Sequence, residues 1–331
     1  MMETVQSAIA ARLDALSIPS RIDSDSYPSI VTLFEEAFAT YQNEAACSSV
    51  GHTLTYADLD RLSAQFAGWL QHGAGLKHGD RVAVQMPNLI QYLVVCLGAL
   101  RAGMVVVNTN PLYTERELEH QLNDANVKVM VVQANVAQTA AAVLPKTDVE
   151  TVVVTEIADL HPQPKRTLIN FLVKYVKRKV PAFSIPGALK LNDVLKAGAK
   201  TPYRAAILNR DELAMLQYTG GTTGVAKGAM LTHGNLIANV LQSDALFETH
   251  SIEGRGSTML QPLPVYHIYA FTASMYALRI GAHTAFVPNP RDLPSVVKAF
   301  DDYKPALFCG CLLYTSPSPR DRTRSRMPSS A

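Results

Sequence analysis

The sequence is short of several things, and each shortage removes a class of protein. It holds four cysteines in 331 residues (Cys47, Cys96, Cys309 and Cys311), with none of the paired spacings that a zinc site requires. A long chain so poor in cysteine is expected to keep its thiols reduced, as in a cytoplasmic compartment. No apolar run reaches the roughly 20 residues needed to cross a bilayer. The longest, LIQYLVVCLGAL at Leu89–Leu100, is interrupted by Gln91 and stopped by Arg101, and it reads as a core helix. The first residues, MMETVQSAIAARLDALS, lack the basic start and apolar block of a secretion signal. Charge of one sign is also missing: 30 Lys and Arg stand against 28 Asp and Glu, a net of +2. Nucleic-acid binders usually carry a larger basic excess, so no nucleic acid is expected as a partner. No G-x-G-x-x-G follows any strand-like segment, which argues against a dinucleotide fold.

What is present is the composition of a globular protein, 48% hydrophobic and 18% charged. RVAVQM (Arg81–Met86), MVVVN (Met104–Asn108), KVMVV (Lys128–Val132) and TVVVT (Thr151–Thr155) are β-branched runs of strand length. Helix-like stretches separate them, one opening with Thr114 and Glu117 at capping-box spacing. Strand and helix alternating at this spacing predict an α/β fold of βαβ units, with mostly parallel sheets covered by helices. A second cycle begins near Asp211. ELAMLQYT reads as a strand, the glycine stretch after it as its exit loop, and THGNLIANVLQSDALF as a helix with Thr232 as N-cap. STMLQPL, HTAFV and PALFCG are further strands, with helices over Tyr266–Ile280 and Leu293–Tyr303.

Two segments stand apart. In LINFLVKYVKRKV, helical spacing puts Leu168, Leu172, Tyr175 and Val176 on one face and Asn170, Lys174, Lys177 and Arg178 on the other. A basic amphipathic helix of this kind can lie on an anionic membrane, although an ordinary surface helix packed on its domain is the expected reading. The last twenty residues, LLYTSPSPRDRTRSRMPSSA, have no apolar period. Removing their four arginines and one aspartate would take the net charge from +2 to −1. Residues 311–331 are therefore expected to be a non-native or disordered tail on a domain occupying residues 1–310.

The stretch with the most chemistry is LQYTGGTTGVAKG. Gly220, Gly221 and Gly224 let the backbone approach a ligand closely, Thr219, Thr222 and Thr223 add hydroxyls, and Lys227 adds a positive charge. A loop of this content leaving a strand suits phosphate oxygens. It is not a Walker A loop, because Lys227 lies between Ala226 and Gly228 instead of preceding Ser or Thr.

YTGGTTGVAKGAMLTHGN resembles the signature of the acyl-adenylate-forming superfamily. GDRVAVQMPNLIQYLV, GMVVVNTNPLYTERELEHQLND and LPVYHIYAFT resemble its bacterial long-chain fatty acid–CoA ligases, and the likeness runs from about Pro28 to Gly310. The resemblance implies ATP, Mg²⁺ and CoA as cofactors and co-substrate, and a fatty acid as substrate. It implies catalytic roles for Thr219 and Lys227, and nucleotide contacts from Tyr218, Thr219, Gly220, Gly221, Thr222, Thr223, Gly224, Lys227 and Gly228. It further implies that Tyr266, His267, Tyr269 and Phe271 shape the acyl site. The family's magnesium-binding Glu, ribose-binding Asp and C-terminal domain with its catalytic Lys are not found, so a partial domain, inactive by itself, is expected. A membrane surface and a second copy of the chain are candidate partners, with the cytoplasm or the inner face of its membrane as location. An aryl-CoA ligase would share YHIYAF, but the flanking match decides against it. A non-catalytic ATP-binding module is the reading from a different class.

Overall fold

The computed structural model describes residues 2–219, 226–248 and 254–310. The expected tail at 311–331 lies outside them, as do Gly220, Gly221, Thr222, Thr223 and Gly224. In chain order the protein begins with α1 (Met2–Ala15), α2 (Ile30–Thr40), a hairpin of β1 (Ala45–Ser49) and β2 (His52–Thr55), and α3 (Tyr56–Gly68). A regular alternation follows: β3 (Arg81–Gln85), α4 (Ile90–Arg101), β4 (Val105–Thr109), α5 (Glu115–Asp124), β5 (Val127–Gln133), α6 (Ala137–Val143) and β6 (Thr151–Thr155). α7 (Lys165–Phe171) runs on as a wider turn through Leu172–Val176, and β7 (Leu189–Lys190) and α8 (Leu191–Gly198) complete that stretch. The remaining elements are β8 (Leu213–Thr219), β9 (Lys227–Thr232), α9 (His233–Glu248), β10 (Thr258–Gln261), α10 (Ile268–Arg279), β11 (His283–Phe286), α11 (Leu293–Tyr303) and β12 (Leu307–Phe308).

The strands form two sheets, one of seven in the order β7-β6-β5-β3-β4-β8-β9 and one of five in the order β12-β10-β11-β1-β2. Pairing is parallel except for β1 with β2 and β8 with β9. The valine runs explain why the larger sheet is buried on both faces. Val82 and Val84 join a central core, whereas Ala83 between them joins a second core under α5 and α6. β4 alternates likewise, with Val106 on one side and Val105 and Val107 on the other. The central core also takes Ala46, Cys47 and Phe286 from the smaller sheet, together with residues of α2, α3, α4, α9 and α10. A layer of helices is thus shared between the sheets, and α11 covers the far face of the smaller one. Arg101, which ends the longest apolar run, is buried and paired with Glu35 (3.0 Å) and Asp60 (2.7 Å). Among the described residues no helix is long and apolar enough to cross a membrane.

The structure departs from the sequence reading in three places. The second cycle is not one unit, because β8 joins the first sheet while β10, β11 and β12 build the other. KGAMLT, with no expectation of its own, is the strand β9, pairing antiparallel with β8 from Leu213↔Thr232 to Thr219↔Lys227. The glycine stretch therefore connects two strands and does not lead directly into a helix. The third correction concerns α7, whose apolar stripe faces solvent; Leu168, Tyr175 and Val176 are each about 60% exposed. Boundaries elsewhere agree closely: Thr151–Thr155 and Leu293–Tyr303 are as read, and Thr114 and Glu117 form the expected capping box. Thr232 caps α9 through Asn235 N–H at 3.2 Å.

Candidate active site

Parallel strands end together, so their exit loops gather at one edge, where α/β proteins bind ligands. β3 exits through Pro87 and Asn88, β4 through Pro111 and Leu112, β10 through Pro262 and Pro264, and β11 through Pro288 and Asn289. These residues of both sheets line one cleft of about 190 Å³, with Tyr266 also on its wall. Proline suits such exits because it donates no ladder hydrogen bond and stops the strand.

Buried amides fix the geometry of this edge. Asn88 is 2% exposed. Its side-chain amide donates to the carbonyls of Gln261 (3.1 Å) and Leu263 (2.8 Å), and its Oδ1 accepts from Val265 N–H (2.9 Å). One side chain from the larger sheet thereby holds the segment that leads into YHIYAF. A second chain of bonds runs from Tyr92 OH to Asn108 Oδ1 (2.6 Å), from the Asn108 amide to Gln217 Oε1 (3.1 Å), and from the Gln217 amide to the Tyr266 carbonyl (3.2 Å). It ties β8, two residues before its open end, to the turn that carries His267.

The hairpin root is held from the other side by α5. Tyr218 OH donates to Asp124 Oδ2 at 2.5 Å, and His120 Nε2 meets the Ala226 carbonyl at 3.0 Å. Asp124 and His120 are one helical turn apart, so one face of α5 grips both strands of the hairpin. Burial and the neighbouring Asp124 carboxylate push the Tyr218 phenol well above its usual range. A Cβ on Gly228 would come within 2.9 Å of the Tyr218 ring, so glycine is what lets that ring lie across β9. Beyond this root Thr219 and Lys227 are cross-strand partners and both are exposed.

Of the acyl-site residues, Tyr266 reaches the cleft wall. His267 is the exposed N-cap of α10, with φ −100° and ψ 138°. Tyr269 is largely exposed and meets the Cys309 thiol, which pushes its phenol pKa up. Phe271 is wholly buried and stands edge-on to Tyr92, ring centroids 6.4 Å apart. The structure thus brings Tyr266 and His267 to the strand ends, leaves Tyr269 on the flank, and places Phe271 in the core.

Sequence reasoning passed over Asn88, Asn108, Gln217, His120 and Asp124. A usable signal was there for the first three: an amide at or just past the end of a β-branched or apolar run. Gln85, Gln133 and Gln261 end their strands in the same way and are buried too.

The AMP-binding enzyme profile matches residues 34–311. The chain belongs to the AMP-binding enzyme family. Over 287 residues it is 45% identical to a long-chain-fatty-acid–CoA ligase of Escherichia coli O157:H7, covering 86% of this chain and 51% of that one. The chain spans about half the length of the curated relatives it matches. A crystal structure of a long-chain-fatty-acid-CoA ligase from Archaeoglobus fulgidus superposes with a TM-score of 0.68 at 23% identity, covering 85% of this chain and 51% of that chain. A red-emitting luciferase from Phrixothrix hirtus gives 0.71 at 18% identity, covering 90% and 54%. At these identities the structural likeness establishes the fold of an AMP-binding enzyme. The sequence match establishes the family.

Proposed function

We propose that this chain carries the ATP- and acyl-facing part of a long-chain fatty acid–CoA ligase. The observation that carries the reading is the hairpin root: Thr219 and Lys227 stand opposite each other where β8 and β9 open, both exposed. A hydroxyl, a cation and a connection rich in Gly and Thr suit the phosphates of a nucleotide. The fatty acid carboxylate attacks the α-phosphorus of ATP, the bond to the β-phosphate breaks, and pyrophosphate leaves with the electron pair. The CoA thiolate then attacks the acyl carbonyl and AMP departs.

Charge gathers on the leaving pyrophosphate, and a cation already in place there stabilises that transition state without reorganisation. Lys227 supplies it in this reading, with Thr219, Thr222 and Thr223 and the backbone of Gly220, Gly221, Gly224 and Gly228 as donors. Tyr218 positions the root through Asp124. Tyr266 and His267 flank the carboxylate, and Tyr269 and Phe271 belong to the acyl side. The fatty-acyl class, in preference to an aryl acid, is supported by the similarity to fatty acid ligases across the flanks of the signature. Mg²⁺ accompanies the nucleotide; among the described residues no three Asp, Glu, His or Cys side chains are grouped to hold a metal, so none is assigned to it.

The test is palmitate-dependent exchange of labelled pyrophosphate into ATP by the enzyme carrying this chain. Loss of a charge-assisted hydrogen bond costs about 1.5–3 kcal/mol, so Lys227→Ala should lower kcat/KM roughly 10- to 150-fold. Gly221→Val should do at least as much harm, since a branched side chain bars the close backbone approach to phosphate that this reading requires. Full exchange by the Lys227→Ala enzyme would overturn the phosphate role. Exchange with benzoate but not palmitate would overturn the acyl class.

A further inference from the structure

Lys227 stands on the margin of the larger sheet, where the β8–β9 ladder ends, among the described residues, at Thr219↔Lys227. Ala226, one residue further out, is held by a side chain from another element: His120 Nε2 donates to its carbonyl at 3.0 Å. A carbonyl and the nitrogen after it share one rigid plane, which runs from one Cα to the next. Holding the Ala226 carbonyl therefore fixes the plane that carries the nitrogen and Cα of Lys227. That plane and the pairing with Thr219 together set the direction in which the Lys227 side chain leaves the strand.

The residue on the other side of Lys227 is fixed as well. Gly228 lies against the Tyr218 ring, where an added Cβ would meet ring carbons at 2.9 and 3.0 Å. That ring is anchored by its hydroxyl, 2.5 Å from Asp124 Oδ2. His120 and Asp124 stand four residues apart on α5, so one helix face brackets Lys227 from both sides. α5 itself is secured independently of the hairpin. Its capping box closes the N-terminus, Leu118 and Leu122 enter the second core, and the Gln121 amide donates to the Asn108 carbonyl at 2.9 Å. A donor mounted on such an element can hold a functional group to within about 0.5 Å. The His120 ring is half-buried on the wall of an open cleft, with Glu119, Asn123 and Lys146 around it, so core packing does not set its size.

We propose that His120 is a positioning residue for Lys227, aiming its ammonium group at the leaving pyrophosphate. It acts through the Ala226 peptide and not on the substrate. The inference rests on the phosphate role proposed for Lys227.

The test is a double-mutant cycle in palmitate-dependent exchange of pyrophosphate into ATP by the enzyme carrying this chain. His120→Ala removes one neutral hydrogen bond, so kcat should fall roughly 3- to 10-fold with KM for palmitate unchanged. His120→Gln, whose amide nitrogen reaches about as far as Nε2, should recover most of the lost rate. In a Lys227→Ala background, His120→Ala should cost less than about twofold, because the group it serves is gone. In the 331-residue chain, His120→Ala should speed amide exchange in β9 and leave β4 unchanged. A cooperative urea transition confirms that each variant folds. A wild-type kcat for His120→Ala, no recovery by His120→Gln, a full effect in the Lys227→Ala background or unchanged exchange in β9 each overturns the inference and leaves the phosphate reading in place. Full pyrophosphate exchange by Lys227→Ala overturns both.

Discussion

β8 and β9 run side by side, yet they are held in different ways. β8 is buried along most of its length, parallel to β4 on one side and antiparallel to β9 on the other. β9 is an edge strand, half or fully exposed throughout, and among the described residues β8 is its sole strand neighbour. Its further grip comes from α5, through His120 at Ala226, and from the start of α9. The lesson is that the two ends of the Gly/Thr connection have unequal supports: one belongs to the core of the sheet, the other to its margin. Under the proposed phosphate role, the firm root keeps the sheet fixed while the marginal root is the side that responds to a nucleotide.

The largest change should come from the firm side. Asn108→Ala removes the partner of the Tyr92 hydroxyl and of Gln217 Oε1, both in the buried interior. Each orphaned group costs about 1–3 kcal/mol, so urea unfolding should show a loss of roughly 3 kcal/mol. Acid should also destabilise the fold. His233, where β9 turns into α9, is 2% exposed, and burial lowers its pKa to about 4. His283 on β11 is also lowered to about 4, again by burial. A folded pKa below the ordinary value of about 6.5 means the unfolded chain binds the proton first. The contribution is present above pH 6.5 and is lost as pH falls towards 4, at roughly 3 kcal/mol for each histidine. A urea midpoint flat across that range would contradict this.

Between the strands, Gly228→Val should cost about 2 kcal/mol, as overpacking does, by pushing the Tyr218 ring off β9. The check is amide exchange: β9 should open faster while β4 is unchanged. Tyr218→Phe deletes only the bond to the exposed Asp124, so about 1 kcal/mol is expected. Its absorbance titration should lose one of the phenols that ionise above the usual range. The smallest effect on stability belongs to Lys227→Ala, under about 0.5 kcal/mol for an exposed side chain. A large loss there would show that the margin is as structural as the core and would erase the contrast between the strands.

Much of the fold was legible because parallel strands buried on both faces must be apolar at nearly every position, which is why valine-rich runs marked β4, β5 and β6. The capping box at Thr114 and the Gly/Thr/Lys cluster were legible for the same local reason: their chemistry lies within a few residues. β9 was not, since KGAMLT is neither alternating nor β-branched and becomes a strand by pairing with β8. The amides Asn88, Asn108 and Gln217 were visible as polar residues at strand ends, but the partners that tie them to other elements lie between 16 and 177 residues away.

By itself, then, the sequence determined the alternation of strand and helix, the caps, and the identity of the groups that can meet phosphate. These depend on backbone propensity and on neighbours within one turn. Tertiary structure decided which sheet each strand joins, that β8 and β9 form a hairpin gripped by α5, and that Phe271 sits in the core while His267 stays in solvent. It also decided the facing of α7. Helical spacing fixes that Leu168, Leu172, Tyr175 and Val176 share a side, but that this side points outward is decided by the opposite face, where Asn170 bonds to Ala158 and Asp159 and Ile169 and Val173 are partly buried.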